Sequence, residues 1–211
     1  MGKIRIKIKY SKTFEIERIM ATLKKLEWFK KRKYSITFPS DLNLNVENYF
    51  SKRYIRKILE KEYRVKDYKR ISLMIKRKWN KLSERLLRGF SKLGIKMRLS
   101  YSIYLTKYGT KGSYRLPNII IINIQGSKST DVIRTIIHEV IHVAIEDKIF
   151  KYNISHWQKE RIVDLIISKL FPKFSKIQRS PEKTKEEMKK VDKFFKEFYP
   201  NITEILKKIS S

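Results

Sequence analysis

Three observations predict an α+β fold, a small mixed sheet packed against long helices. Residues 4–10 and 95–105 alternate apolar with polar side chains at period two, the pattern of half-buried strands. Between them Tyr68, Ile71, Ile75, Trp79, Leu82, Leu86, Phe90 and Leu93 step by three or four, the stripe of one long helix. A second helical stretch, about residues 130–149, is followed by Ser155-His156-Trp157-Gln158, the form of a capping box that opens another helix.

Taken in order, Ile4, Ile6, Ile8 and Tyr10 alternate with Lys3, Arg5, Lys7 and Lys9, a strand with one basic face. Residues 13–31 read as a helix with Ile16, Ile19, Met20, Leu23 and Leu26 on one side. Residues 34–38 form a short strand stopped by Pro39. Residues 43–63 hold a helix whose apolar face is Tyr49, Phe50, Tyr54, Ile58 and Leu59. The long helix ends at Gly94, where a left-handed cap fits. After the strand at 95–105 comes a turn at 108–113, then strands 114–116 and 119–124 broken at Pro117. The helix from His156 stops at Pro172. Two amphipathic pieces follow, one marked by Met188, Val191, Phe194, Phe195 and Phe198, the other by Ile202, Ile205, Leu206 and Ile209. The division expected is a basic N-terminal lobe at 1–65, a central domain at 66–172 and a helical tail at 173–211.

Composition narrows the function classes. The 211 residues contain no cysteine, which excludes disulfides, thiolate metal ligands and a cysteine nucleophile. The longest pure apolar run, 119–122, is far too short for a bilayer, and residues 1–10 lack a signal-peptide core. A soluble cytoplasmic protein with no membrane span is the expectation, its oligomeric state left open. Lys and Arg number 51 against 21 acids, a net charge of +30 that attracts polyanions and makes non-specific nucleic acid a candidate partner. A thermophile's preference for lysine and isoleucine is the competing account, although there glutamate usually rises with lysine. The segments Lys30-Lys31-Arg32-Lys33-Tyr34 and Lys76-Arg77-Lys78-Trp79 mix cations with aromatics. Trp79 lies on the core stripe, so backbone contact rather than base stacking is the stronger reading.

The chemistry sits in His138-Glu139-Val140-Ile141-His142. Histidines four apart on a helix share a face, and both imidazoles can reach one ion, with Zn2+ well suited. Glu139 lies about 100° around the helix, able to touch a water beside the ion and act as general base. The chain has only three histidines, so this pairing is rarely an accident. An open zinc site needs a third protein ligand. Glu160 can supply an oxygen if the next helix folds back across the loop at Tyr152-Asn153. Asp164, one turn further, can accept the other N–H of a ligating histidine. Alone, Glu160 and Asp164 would read as a solvated face with Lys159 and Arg161.

HExxH followed by Glu160-Arg161-Ile162-Val163-Asp164 resembles the gluzincin pattern, HExxH then ExxxD. With seventeen residues between His142 and Glu160, the compact spacing is similar to that of the archaeal minigluzincins. The resemblance covers about residues 95–171 and extends plausibly to the helix at 66–93. It implies a zincin-like domain built of a backing helix, a small sheet, an active-site helix and a glutamate helix. The implied roles are zinc ligands His138, His142 and Glu160, general base Glu139, and Asp164 behind a ligand. It also implies a polypeptide substrate added as a strand along residues 114–116 or 119–124. Thermolysin-type gluzincins carry a further histidine after the glutamate ligand, absent here; Tyr152 and His156 are the candidate transition-state donors in its place. A second resemblance, to the SprT/Spartan-type proteases, would make His156 the third ligand. The expected activity is zinc endopeptidase. The alternative is a nucleic-acid-binding protein with a structural or relic zinc site. The tail's Phe194, Phe195 and Phe198 are candidates to fill and shield the cleft.

Overall fold

The computed structural model describes residues 3–44, 51–178 and 180–211. Its sheet is small and mixed. β1 (Arg5–Lys9) pairs in parallel with β2 (Ser100–Thr106), β2 pairs in parallel with β4 (Ile119–Asn123), and β3 (Gly112–Arg115) closes one edge antiparallel to β4. Ile8, Ile103 and Ile120 lie side by side in this register. Ile103 and Ile120 are fully buried, and Ile8 packs against the same core. The β-branched runs supply both the strand preference and the buried face.

Eight α-helices are present among the described residues. α4 (Val65–Lys92) is the long one, and its stripe from Tyr68 to Phe90 enters the main core as expected. The indole of Trp79 donates to the Ile4 carbonyl at 2.7 Å, fixing β1 on the helix. α4 ends in a Schellman motif: Gly94 at φ 62° lets Ile95 N–H reach the Phe90 carbonyl at 3.0 Å. α5 (Ser129–Lys151) and α6 (His156–Leu170) form an antiparallel pair. Asn153, in the left-handed region at φ 49°, turns the chain between them. The capping box of Ser155 and Gln158 then starts α6.

Several expected boundaries shift. The helix at 13–31 is two, α1 (Lys12–Leu23) and α2 (Leu26–Lys31), because α2 turns away to pack Trp28 and Phe29 with Tyr34. The strand at 34–38 reduces to one bridge between Thr37 and Gly109. α3 (Lys52–Glu62) starts at a Ser51 cap and buries Ile55, Ile58 and Leu59, while Tyr54 is 41% exposed rather than part of its apolar face. The first turns expected for that helix, with Tyr49 and Phe50, lie outside the described residues. β2 begins at Ser100, not at 95; Leu99 is 55% exposed, although its carbonyl still accepts from Arg5. β4 is an inner strand, so residues 119–124 do not offer a sheet edge.

The expected lobe and tail are not separate bodies. β1 belongs to the sheet and Ile4 to the main core. α1 and α3 share a small second core with Leu42 and Tyr108. The buried Glu15 carboxylate joins α1 to the rest, accepting from Tyr68, from Thr106 and from Lys107 N–H. In the tail, α7 (Lys185–Phe198) and α8 (Ile202–Ser210) bury Val191, Phe195, Ile202, Ile205, Leu206 and Ile209 in the main core. No helix among the described residues is long and apolar enough to cross a membrane.

Candidate metal centre

α5 is apolar around most of its circumference and correspondingly buried, from Val132 to Ile149. His138, Glu139, His142 and Glu146 are its buried polar exceptions. α6 folds back along it and presents Glu160 to both histidines. His138 Nε2 lies 3.1 Å from Glu160 Oε2, His142 Nε2 lies 3.3 Å from Glu160 Oε1, and the two Nε2 atoms are 2.9 Å apart. One ligand atom from each residue falls within 4.8 Å of the others, so His138, His142 and Glu160 can hold a metal ion. His156 is outside this group.

Asp164 lies behind His138. Its Oδ1 is 3.6 Å from His138 Nδ1, facing it at slightly more than hydrogen-bond length. The carboxylate is held from two other sides, by Arg134 Nη2 at 3.2 Å and by Gln178 N–H at 2.7 Å. Burial disfavours a charge on His138, but Asp164, Glu160 and Glu139 around it raise its pKa. Burial would also raise Glu160, yet the hydrogen bonds of both imidazoles hold it well below the usual carboxylate range. Burial lowers the pKa of His142 and keeps it neutral. By residue type the group offers two imidazole nitrogens and one carboxylate oxygen, a donor set suited to a borderline divalent cation.

Glu139 points toward the edge strand. A Cβ at Gly112 would collide with the Glu139 carboxylate and the Thr135 methyl, so β3 approaches α5 this closely only because residue 112 has no side chain. Burial pushes the Glu139 carboxyl up to about 7. All four β3 residues line a cleft of about 540 Å³ together with His138, Glu139, His142 and Glu160. Of the two segments considered as a substrate edge, the one that includes Tyr114 is at the edge and faces the cleft.

His156 lines the cleft too. Its Nε2 is 2.9 Å from the Tyr34 hydroxyl, and its ring meets Trp157 edge-on at 5.1 Å. Burial lowers its pKa, so the neutral ring is favoured. Tyr152 is not brought to the site: it caps α5 and packs on the core, outside the cleft lining. Phe194, Phe195 and Phe198 do not fill the cleft either; they pack against the main core. The segment after α6 does reach the site. Arg134 binds the carbonyls of Phe174 and Lys176, and Gln178 Nε2 donates to Glu160 Oε2 at 3.0 Å.

Sequence reading missed a second buried group beside His142. The Tyr114 ring stacks on His142 at 5.3 Å, its hydroxyl donates to Glu146 at 2.7 Å, and Lys159 donates to that hydroxyl at 2.9 Å. Glu146 is one turn beyond His142 on α5, and Lys159 precedes Glu160, so spacing alone could have flagged both. Tyr34 and Gln178 carried no comparable signal. No protein-family model, curated protein or solved structure matches the chain.

Proposed function

We propose that the chain is a zinc-dependent endopeptidase with a zincin-like arrangement: α4 as backing helix, α5 as active-site helix and α6 as glutamate helix. The observation that carries this reading is the convergence of His138, His142 and Glu160 with Glu139 beside them at an edge strand. Zinc bonds of about 2.0–2.2 Å in a tetrahedron set ligand atoms roughly 3.3–3.6 Å apart. The separations of 2.9, 3.1 and 3.3 Å lie at or just below that range, so a small outward shift of the three donors would admit such an ion.

Bound zinc would supply Lewis-acid activation of a water and of the scissile carbonyl. Glu139 takes the proton of the attacking water and returns it to the leaving amine. The Tyr34 hydroxyl and the His156 ring stand on the cleft wall as donors for the developing oxyanion. Among the described residues β3 has a partner strand on one side only, and it can align an extended polypeptide beside Glu139. Asp164 orients His138, and the Tyr114–Glu146 pair braces His142.

The test is metal analysis of the purified chain together with cleavage of an unfolded protein such as casein. About one zinc per chain is expected, with cleavage lost on chelation and restored by zinc. Absence of both zinc retention and cleavage would overturn the reading; zinc without cleavage would favour a structural or relic site.

A second property is proposed on a separate surface. Lys76, Arg77, Lys78, Lys81, Arg85 and Arg88 are exposed along α4, and none forms an ion pair among the described residues. Such a row fits sequence-independent contact with a nucleic-acid backbone. Affinity for random duplex DNA should fall steeply between low and moderate salt, and a flat response would remove the claim.

A further inference from the structure

Six Lys and Arg residues line the cleft against two carboxylates. Arg18, Lys25, Lys111 and Arg115 line it and form no ion pair among the described residues. Arg134 and Lys159 also line it, but these are matched within the protein by Asp164 and Glu146. The two carboxylates facing the cleft are Glu160, which holds the metal, and Glu139, which works on the water. The four unmatched cations are therefore in excess of what the site itself uses.

Arg18 is the most constrained of them. It is 9% exposed, Nη2 donates to Thr110 Oγ1 at 3.0 Å, and Nε has no hydrogen-bond partner among the described residues. A Cβ at Gly109 would collide with the guanidinium, so the loop at φ 82° is shaped around it. Burial lowers the Arg18 pKa and nearby Arg115 lowers it further, with Glu139 and Glu15 opposing. A buried guanidinium near a second cation, with no carboxylate within ion-pair distance among the described residues, is an unfavourable arrangement for folding alone. It becomes favourable when an anion arrives. Arg115 closes the edge strand β3, along which an extended chain would lie, and Lys111 immediately precedes that strand.

We propose that Arg18, Lys111 and Arg115 form a carboxylate-binding subsite, and that the substrates are acidic polypeptides cleaved close to Asp or Glu side chains. This rests on the peptidase reading above and names its substrate class. Arginine recognises a carboxylate through two parallel N–H donors, and a charged hydrogen bond in a shielded cleft is worth on the order of 10- to 100-fold in affinity.

The experiment uses the full zinc-loaded chain and peptides identical except at the residues flanking the scissile bond: Glu, Gln or Lys. Each is made with a free and an amidated C-terminus. Cleavage is read as kcat/KM, and binding is read separately by fluorescence anisotropy on the Glu139→Gln variant. The Glu peptide is expected to exceed the Gln peptide by about 10- to 100-fold in both readouts, whatever its C-terminus. Arg115→Gln, an exposed substitution on the edge strand, should collapse that ratio toward one. Equal handling of Glu and Gln, or preference for Lys, overturns the proposal. A preference that follows the free C-terminus overturns the side-chain assignment, because the carboxylate recognised is then the terminal one. If no peptide is cleaved but the Glu peptide still binds selectively through Arg115, the peptidase reading fails while the subsite stands.

Discussion

Replacing Glu160 by alanine removes one of three converging donors and leaves His138 and His142 alone at the ion. Zinc sites with four protein ligands in small domains are worth about 10–16 kcal/mol in all, which averages to roughly 2.5–4 kcal/mol per ligand. The expected loss of zinc affinity is therefore on the order of 100- to 1,000-fold. His156 lies on the same helix one turn earlier, and a three-histidine site would use it instead. Its Nε2, however, is engaged with Tyr34, and it is not in the ligand group. His156→Ala should keep zinc and lower turnover, since it removes a donor on the cleft wall rather than a ligand. Asp164→Asn should lie between, about 10- to 100-fold weaker in zinc binding, as expected for a group that orients a ligand. Metal content after dialysis against a competing chelator, with circular dichroism to show the fold intact, reads all three. Full zinc in Glu160→Ala with loss in His156→Ala would refute the assignment and transfer the third ligand to His156.

Glu139→Gln should retain zinc and lose turnover by about 100- to 10,000-fold, the usual share of a general base; loss of metal as complete as in His138→Ala would make it a ligand instead. Glu15→Ala strips a buried acceptor from Tyr68, Thr106 and Lys107 and should destabilise by about 3 kcal/mol or more, read by denaturant unfolding. Burial raises the Glu15 pKa above its ordinary 4.5, so folding tightens the hold of this group on a proton. That contribution is fully present below about pH 4.5 and is lost as pH rises through the folded value, so Glu15→Gln should flatten this part of the stability profile. Truncation after Pro172 should not activate the protein. It removes the six apolar side chains that α7 and α8 bury in the main core, at roughly 2 kcal/mol each, a sum comparable to the stability of a whole domain. A truncated chain that unfolds at the same denaturant concentration as the intact one would refute this.

The parts of the fold legible in the sequence are those fixed by local periodicity. The α4 stripe, the second half of the period-two run ending in Leu105, the Gly94 cap and the Ser155 capping box each depend on residues a few positions apart, and each is found in the fold. What failed depended on distant partners. The N-terminal strand looks like the start of a separate basic lobe until it pairs with β2, nearly a hundred residues away. The tail looks like a cover for the cleft because amphipathic helices show which face they bury but not against what. Its phenylalanines meet the main core instead.

The same distinction runs through the site. His138, Glu139 and His142 are neighbours on one helix, and Glu160 and Asp164 on the next, so a turn at Asn153 is enough to bring them together. Tyr152 was drawn in by closeness along the chain, yet the turn that brings α6 back carries it to the core. The residues that close the cleft come from far off: Arg18 from α1, Tyr34 from the loop after α2, Tyr114 from the edge strand and Gln178 from the segment after α6. None has a spacing that singles it out. They matter because Gly112 lets β3 press against Glu139 and because Gly109 leaves room for a guanidinium. Two glycines without side chains thus shape the side of the cleft formed by Arg18 and the edge strand, and a sequence pattern built on reactive side chains passes over them.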